Sequence, residues 1–402
     1  MIPKLTSRAE FIALMAMMVA TVAFSVDSML PALPQIAREL TPDHINQAQF
    51  IIAAFVIGMG IGTLFTGPLS DSFGRKPMII ATAALYILGA ALSYFAPTIE
   101  MMIAARFLQG LGAAGPRTIS LAVIRDLYSG REMARLMSFV MMVFTMIPAV
   151  APMIGLGIMA VTGWRGIFLA FIAFSLISVL WMGLRLDEPL PKARRRPLNL
   201  RQLATATREM LSIPMVRQSI LVQTMCFAML FSSITMIQQI FDLTFEKSTS
   251  FTFWFFAMAL CVAAANMLNA ALVVRFGMWR MVTGVLAAMI LASALMLAFY
   301  ASGPALGALF AAYLAWQSIV FFQMGLTLGN LNALAMGPLG HIAGLGSSII
   351  GAVSTLGGAV CGAAVGQLFD GTPMPLILGV SAMSICGFVT MLRMNSIEAR
   401  AA

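Results

Sequence analysis

Long apolar runs, each of about the length that crosses a bilayer, alternate with short polar gaps along the whole sequence. A spanning helix needs about 20 mostly apolar residues. Segments of that kind fall near 11–33, 48–69, 77–96, 99–124, 134–161 and 165–185. A second set falls near 216–240, 251–273, 279–301, 304–329, 342–367 and 373–393. The pattern predicts an all-α membrane protein of 12 transmembrane helices in two six-helix halves. The halves are expected over 1–185 and 216–402, joined by a polar linker over 186–215. Lys4 and Arg8 precede the first run, as in a signal peptide, but the run continues to Leu33 with no clean small-x-small cleavage site. It is expected to remain as the first span.

Composition agrees with this reading. Of the 402 residues, 60% are hydrophobic and only 10% charged, and mean hydropathy is +0.95. Soluble domains carry roughly 25% charged residues. The net charge of +9 does not point to nucleic acid, because Lys and Arg sit in the gaps between apolar runs. With the N-terminus inside, all 24 Lys and Arg fall on the cytoplasmic side except Arg38, Arg165 and Lys247 in outer loops and Arg106 and Arg117 within span 4. That imbalance sets the orientation, with both termini cytoplasmic. The linker carries Lys192, Arg194, Arg195, Arg196, Arg201 and Arg208 with three prolines; its charge serves either topology or contact with anionic lipid headgroups. The four cysteines lie in apolar runs without metal-ligand spacing and read as buried free thiols.

The halves carry a faint internal repeat. LSDSFGRKPM joins spans 2 and 3, and LVVRFGMWRM joins spans 8 and 9, with Phe73-Gly74 and Phe276-Gly277 in matching loops. Parallel six-span repeats are the architecture of one large transporter class.

Four segments carry candidate chemistry. The loop GPLSDSFGRKP places Gly67, Asp71, Gly74, Arg75 and Lys76 at fixed spacing. Glycine permits a tight turn and close helix approach, and Arg75 can reach a neighbouring acid such as Asp126 at the end of span 4. Span 4 holds Arg106 three residues before Gln109-Gly110. An arginine in a span normally faces the bundle interior and has a function, the other reading being a side chain that snorkels outward. The small residues from Gly112 to Gly115 permit tight packing. Span 5 contains Pro148, Pro152, Gly155 and Gly157, and proline in a span removes a backbone hydrogen bond and bends the helix. The first span ends VDSMLPALP, with Asp27 followed by Pro31 and Pro34.

The Gly67–Pro77 loop is similar to the loop signature G-x-x-x-D-x-x-G-R-[RK] of the major facilitator superfamily, and the span-4 stretch resembles that family's second motif. IPAVAPMIGLGI resembles the proline- and glycine-rich motif of its proton-coupled antiporters, with Gly155-Leu156-Gly157 where that motif has paired glycines. The D-x-x-L-P-x-L-P pattern at Asp27 and the TGWRGIF stretch from Thr162 to Phe168 resemble the twelve-span drug:proton antiporters, in particular the bicyclomycin/chloramphenicol-resistance (Bcr/CflA) branch. The resemblance covers nearly the whole first half; in the second it rests on span count and the Gly/Ser-rich span 11. It implies the major-facilitator fold, a multi-pass protein of the bacterial inner membrane that acts as a monomer, and no cofactor beyond the proton gradient. It also implies a conformational-switch loop of Gly67, Asp71, Gly74, Arg75 and Asp126, and an antiporter-motif kink of Pro148, Pro152, Gly155 and Gly157.

Asp27 is the only acid inside an expected span away from its ends, about 24 Å along a helix that starts at Phe11. Arg106 lies at similar depth, so the two are expected to share one cavity as the proton-coupling pair. Burial disfavours a charged carboxylate and a nearby cation favours it, a balance suited to proton exchange; the other reading of Asp27 is a helix-end cap. Gln109, Gln223 and Asn269 join them as substrate-cavity candidates, each also readable as an interhelical hydrogen bond. The 34 methionines suit a promiscuous surface or simple packing. The expected function is proton-coupled antiport that exports amphipathic, drug-like molecules, the alternative being a carrier of the same fold for a single metabolite or antibiotic. Only two histidines occur, His44 and His341, with no catalytic or metal-like cluster and no phosphate-binding loop, so neither an enzyme nor an ATP-driven pump is expected.

Overall fold

The computed structural model describes residues 7–195, 198 and 200–401; Lys4, Arg196 and Pro197, named above, lie outside the described residues. The chain divides into two compact units, Met1–Leu200 and Arg201–Ala402, and the boundary falls within the basic stretch between the two sets of spans.

The first unit contains α1 (Arg8–Asp27), a short α2 (Leu33–Leu40), α3 (Phe50–Phe73), α4 (Arg75–Tyr94), α5 (Ile99–Leu127), α6 (Gly130–Thr162) and α7 (Gly166–Arg185). The second contains α8 (Leu200–Ser212), whose first residue closes the first unit, then α9 (Pro214–Gln239), α10 (Phe251–Phe276), α11 (Met278–Ala301), α12 (Leu306–Met336), α13 (Ala343–Gly366) and α14 (Met374–Ala401). Every regular element among the described residues is helical. Eleven stretches are long and apolar enough to cross a membrane. The twelfth long helix, α5, has the length but carries Arg106, Gln109 and Arg117, which lower its hydropathy. Many large apolar side chains remain exposed, among them Leu184, Met267 and Val274. In a helical bundle this apolar, such a surface is a lipid-facing one.

The two units repeat one packing scheme. In the first, α5 packs against α3 and α4, α1 against α6, and α4 against α7. In the second, α12 packs against α10 and α11, α9 against α13, and α11 against α14. The Phe-Gly pairs fall at corresponding places: Gly74 ends α3 with φ of 106° and Gly277 ends α10 with φ of 79°, the left-handed region that glycine enters without steric cost. Small residues set the helix spacing. A β-carbon at Gly110 would strike the Phe55 backbone of α3, and one at Gly112 the Tyr86 backbone of α4.

Three local features differ from the expected elements. The first span is not one continuous helix: α1 stops at Asp27, and a 3-10 turn over Leu30–Ala32 leads into α2. Pro31 lacks the N–H that would bond back to the Asp27 carbonyl, and Pro34 the one that would reach Leu30. The linker contains a helix, α8. Cys386 is exposed rather than buried.

Candidate functional site

Asp27 is the last residue of α1 and is 5% exposed. Above it, Thr21 and Ser25 turn their hydroxyls onto the α1 backbone at Met17 and Thr21, and Ser25 Oγ lies 2.6 Å from the Tyr86 hydroxyl of α4. Phe24 packs edge-on against Phe171 of α7 at 5.4 Å between centroids. No salt bridge reaches Asp27 among the described residues. Its carboxylate sits at the break in the helix, next to a backbone carbonyl that Pro31 cannot satisfy.

Arg106 is fully buried on α5, and snorkelling is thereby excluded. Its guanidinium donates to Ser25 O at 2.9 Å, to Ile51 O at 3.3 Å and to Gln109 Oε1 at 2.7 Å. It also lies 4.4 Å from the centroid of the Phe55 ring. Arg106 and Asp27 therefore approach the same turn of α1 but do not pair. The guanidinium is committed instead to the backbone carbonyls of Ser25 and Ile51 and to Gln109. Gln109 is brought to the same place, with Nε2 buried and without a partner.

Of the expected switch-loop residues, Asp71, Arg75 and Asp126 come together at the other end of the unit. Arg75, at the start of α4, meets Asp71 Oδ1 at 2.6 Å and Asp126 Oδ2 at 2.7 Å, and donates to Ser70 Oγ at 2.6 Å. Asp71, Arg75 and Asp126 line a cavity of about 430 Å³ with Leu190 and Arg194. A residue absent from the sequence expectation completes it. Glu188 accepts from the backbone N–H of Arg75 at 2.9 Å and of Lys76 at 3.0 Å, and so caps α4, and it also accepts from Leu190 N at 2.9 Å. Lys76 Nζ reciprocates by donating to Gly183 O and Leu186 O at the end of α7, at 2.7 and 3.0 Å. An acid at one helix start and a base at another helix end both suit the helix dipoles. A β-carbon at Gly74 would stand 2.9 Å from Glu188 Oε2 and 2.7 Å from Arg195 Nη2, so glycine is needed there for space as well as for its φ. The signal for Glu188 was the Asp-Glu pair between Leu186 and Pro189, which the sequence reading passed over as linker.

On α6 the helix continues across Pro148 and Pro152 from Gly130 to Thr162. The two motif glycines have different surroundings. A β-carbon at Gly155 would strike the Ser28 backbone, one residue beyond Asp27, whereas Gly157 has nothing within 4 Å. Gly155 thus brings α6 directly against the α1 break.

In the second unit the two named candidates are not joined by any hydrogen bond of the structure. Gln223 on α9 is buried with Oε1 unpartnered, and Asn269 on α10 accepts from Asn330 Nδ2 of α12 at 2.8 Å. Gln238, Tyr313 and Gln317 also hold buried polar atoms without partners. Unpaired polar groups are costly at membrane depth, which marks this region as polar by design. Among the described residues no cluster of His, Cys, Asp and Glu could hold a metal ion.

The family model described as Major Facilitator Superfamily matches residues 13–394. Among curated proteins, the chain is similar to an uncharacterized MFS-type transporter, YdgK, of Bacillus subtilis, 33% identical over 46% of this chain and 47% of that protein. It is 35% identical to a bicyclomycin resistance protein homolog of Haemophilus influenzae over 45% of this chain and 45% of that protein. It is 36% identical to the multidrug resistance protein MdtL of Escherichia coli over 40% of each chain. The matched region spans about half the length, or less, of these curated relatives. The resistance-protein relatives agree with the resemblance to the Bcr/CflA branch. Among solved structures, a D-xylose-proton symporter superposes with a TM-score of 0.73 at 16% identity, over 96% of this chain and 97% of that one. The xylose transporter XylE from E. coli gives 0.70 at 13% identity, over 96% and 99%. At such identity these two speak for the fold alone.

Proposed function

The chain belongs to the Major Facilitator Superfamily, and from that premise we propose that it is a proton-coupled antiporter of the bacterial inner membrane that exports amphipathic, drug-like molecules. It is a multi-pass membrane transporter rather than an enzyme, and the coupling ion and the substrates are what the proposal adds. The observation that carries it is Asp27: a buried carboxylate, without a salt bridge, at a proline-marked break in the first span.

In this reading Asp27 takes a proton from the outer side and releases it inward, and each proton uptake accompanies dismissal of substrate. No bond other than O–H forms or breaks, and the energy comes from the proton gradient without a cofactor. Burial penalises the bare carboxylate, and a cationic or strongly polar group of the substrate beside it favours loss of the proton. Arg106 ties α1 to α3 by donating to the Ser25 and Ile51 carbonyls, and it leaves the Asp27 carboxylate free to titrate. The Arg75–Asp71–Asp126 cluster serves as the cytoplasmic latch between alternately open states. Names of relatives that refer to resistance support export, and the named single antibiotic keeps a specific carrier as the second reading.

A growth-inhibition panel in a pump-deficient bacterial host, with bicyclomycin and several unrelated amphipathic antibiotics and dyes, tests the proposal. Protection against several unrelated compounds is expected. Protection against one alone would establish the specific carrier instead, and protection against none would overturn export.

A further inference from the structure

The break that carries Asp27 keeps short-range backbone bonds, from Ser28 N to Phe24 O, Met29 N to Val26 O and Ala32 N to Met29 O, but Pro31 and Pro34 lack the N–H that would carry α1 onward as one helix. One neighbouring hairpin touches both of its sides. On the α1 side, Gly155 of α6 lies against Ser28, and Phe171 and Phe174 of α7 hold Phe24. On the α2 side, Glu39 accepts from Trp164 Nε1 at 2.7 Å and from Arg165 Nη1 at 2.5 Å, both in the α6–α7 turn. The Arg165 guanidinium stacks over the Trp164 ring at 4.1 Å and donates to Ala96 O, in the α4–α5 connection, at 3.4 Å. Trp164 is 2% exposed. From it an edge-to-face series runs along α7 through Phe168 to Phe171, at 6.3 and 5.8 Å, and on to Phe24, three residues before Asp27. Both ends of the break are thus gripped by the α6–α7 hairpin.

We propose that Glu39, Trp164 and Arg165 form a clasp of positioning residues that sets the geometry of the α1–α2 break and, through it, the proton exchange of Asp27. The inference rests on the reading of Asp27 as the coupling carboxylate. It gives the TGWRGIF segment a role distinct from topology: the segment braces the titrating turn from the outer side, while Gly155 braces it from α6. The charged and titratable groups packed about α1 near Asp27 are few. Arg106 comes from α5 and Tyr86 from α4, both against Ser25, while α6 and α7 carry no ionisable side chain between Arg135 and Arg165 or between Arg165 and Arg185. A change at the clasp therefore acts on Asp27 by moving backbone rather than by adding a charge beside it.

The test uses the purified full chain and needs no substrate. The infrared C=O band of protonated carboxyls is titrated with pH in wild type and in Asp27→Asn, and the difference isolates Asp27. Glu39→Gln and Arg165→Ala are expected to move the midpoint by about 0.5 unit or more, roughly threefold in proton affinity. Trp164→Phe, which keeps an aromatic side chain but loses the indole N–H and some volume, covers the case in which those variants fail to fold, and is expected to shift the midpoint in the same direction. Arg8→Gln, which breaks an unrelated ion pair with Glu132, should keep the wild-type midpoint. An unmoved midpoint in Glu39→Gln and Trp164→Phe, or an equal shift in Arg8→Gln, overturns the clasp. A missing difference band between wild type and Asp27→Asn would instead overturn the reading of Asp27 itself.

Discussion

Glu188→Gln is the substitution whose effect follows most directly from the structure. The native carboxylate accepts three backbone N–H bonds, from Arg75, Lys76 and Leu190. Glutamine keeps one accepting oxygen and presents an NH2 group where the second stood, so one of the first two α4 amides loses its partner. A hydrogen bond to a charged group contributes about 1.5–3 kcal/mol, and a negative charge at a helix start adds about 0.3–1 kcal/mol. Glu188 is half-buried, so water replaces part of the loss, and the expected cost is about 1–2 kcal/mol. For a unit of this size that lowers Tm by roughly 2–8 °C. Differential scanning fluorimetry in detergent, together with transport rates in vesicles, measures both consequences. Lys76→Ala removes the reciprocal cap on α7, and a double-mutant cycle should give a coupling of about 0.5 kcal/mol or more, as for side chains in one network. A Glu188→Gln protein with wild-type Tm and wild-type transport would refute the assignment of Glu188 to the latch.

Gly155→Ala should cost about 1–3 kcal/mol, because its β-carbon meets the Ser28 backbone, whereas Gly157→Ala should stay within about 0.5 kcal/mol of wild type; thermal unfolding of the two compares them directly. Arg106→Lys retains charge but cannot span Ser25 O, Ile51 O and Gln109 Oε1 at once, and a loss of about 2–4 kcal/mol is expected from the carbonyls left bare, read as reduced folded yield and Tm. Gly74→Ala forces a β-carbon into a left-handed turn already filled by Glu188 and Arg195; it should cost about 1–2 kcal/mol from strain alone, visible as lower Tm with weakened transport.

Periodicity and charge made the fold legible. Twelve apolar runs became twelve long helices, and even the Phe-Gly pairs marked equivalent turns, since a positive φ at a helix end is a local requirement that glycine advertises. The switch loop was readable for the same reason: Asp71, Gly74 and Arg75 lie within one turn of sequence. Partners distant in sequence were not readable. Glu188 lies 113 residues from Arg75 in a stretch that looks like a linker, and nothing local tells that its carboxylate caps α4. The Asp27–Arg106 expectation relied on equal depth along two helices, and depth does not fix which way a side chain faces. The break after Asp27 was written in Pro31 and Pro34, but the hairpin that holds it comes from residues 155–174, more than a hundred positions further on.

The central claim is that Asp27 couples transport to protons. Its most direct measurement compares wild type and Asp27→Asn in everted vesicles, for a compound that the growth panel identifies, with and without an imposed proton gradient. Wild type should accumulate the compound only with the gradient, and Asp27→Asn should lose that accumulation while still equilibrating the compound down its own gradient. Gradient-driven accumulation by Asp27→Asn at the wild-type level would contradict the account.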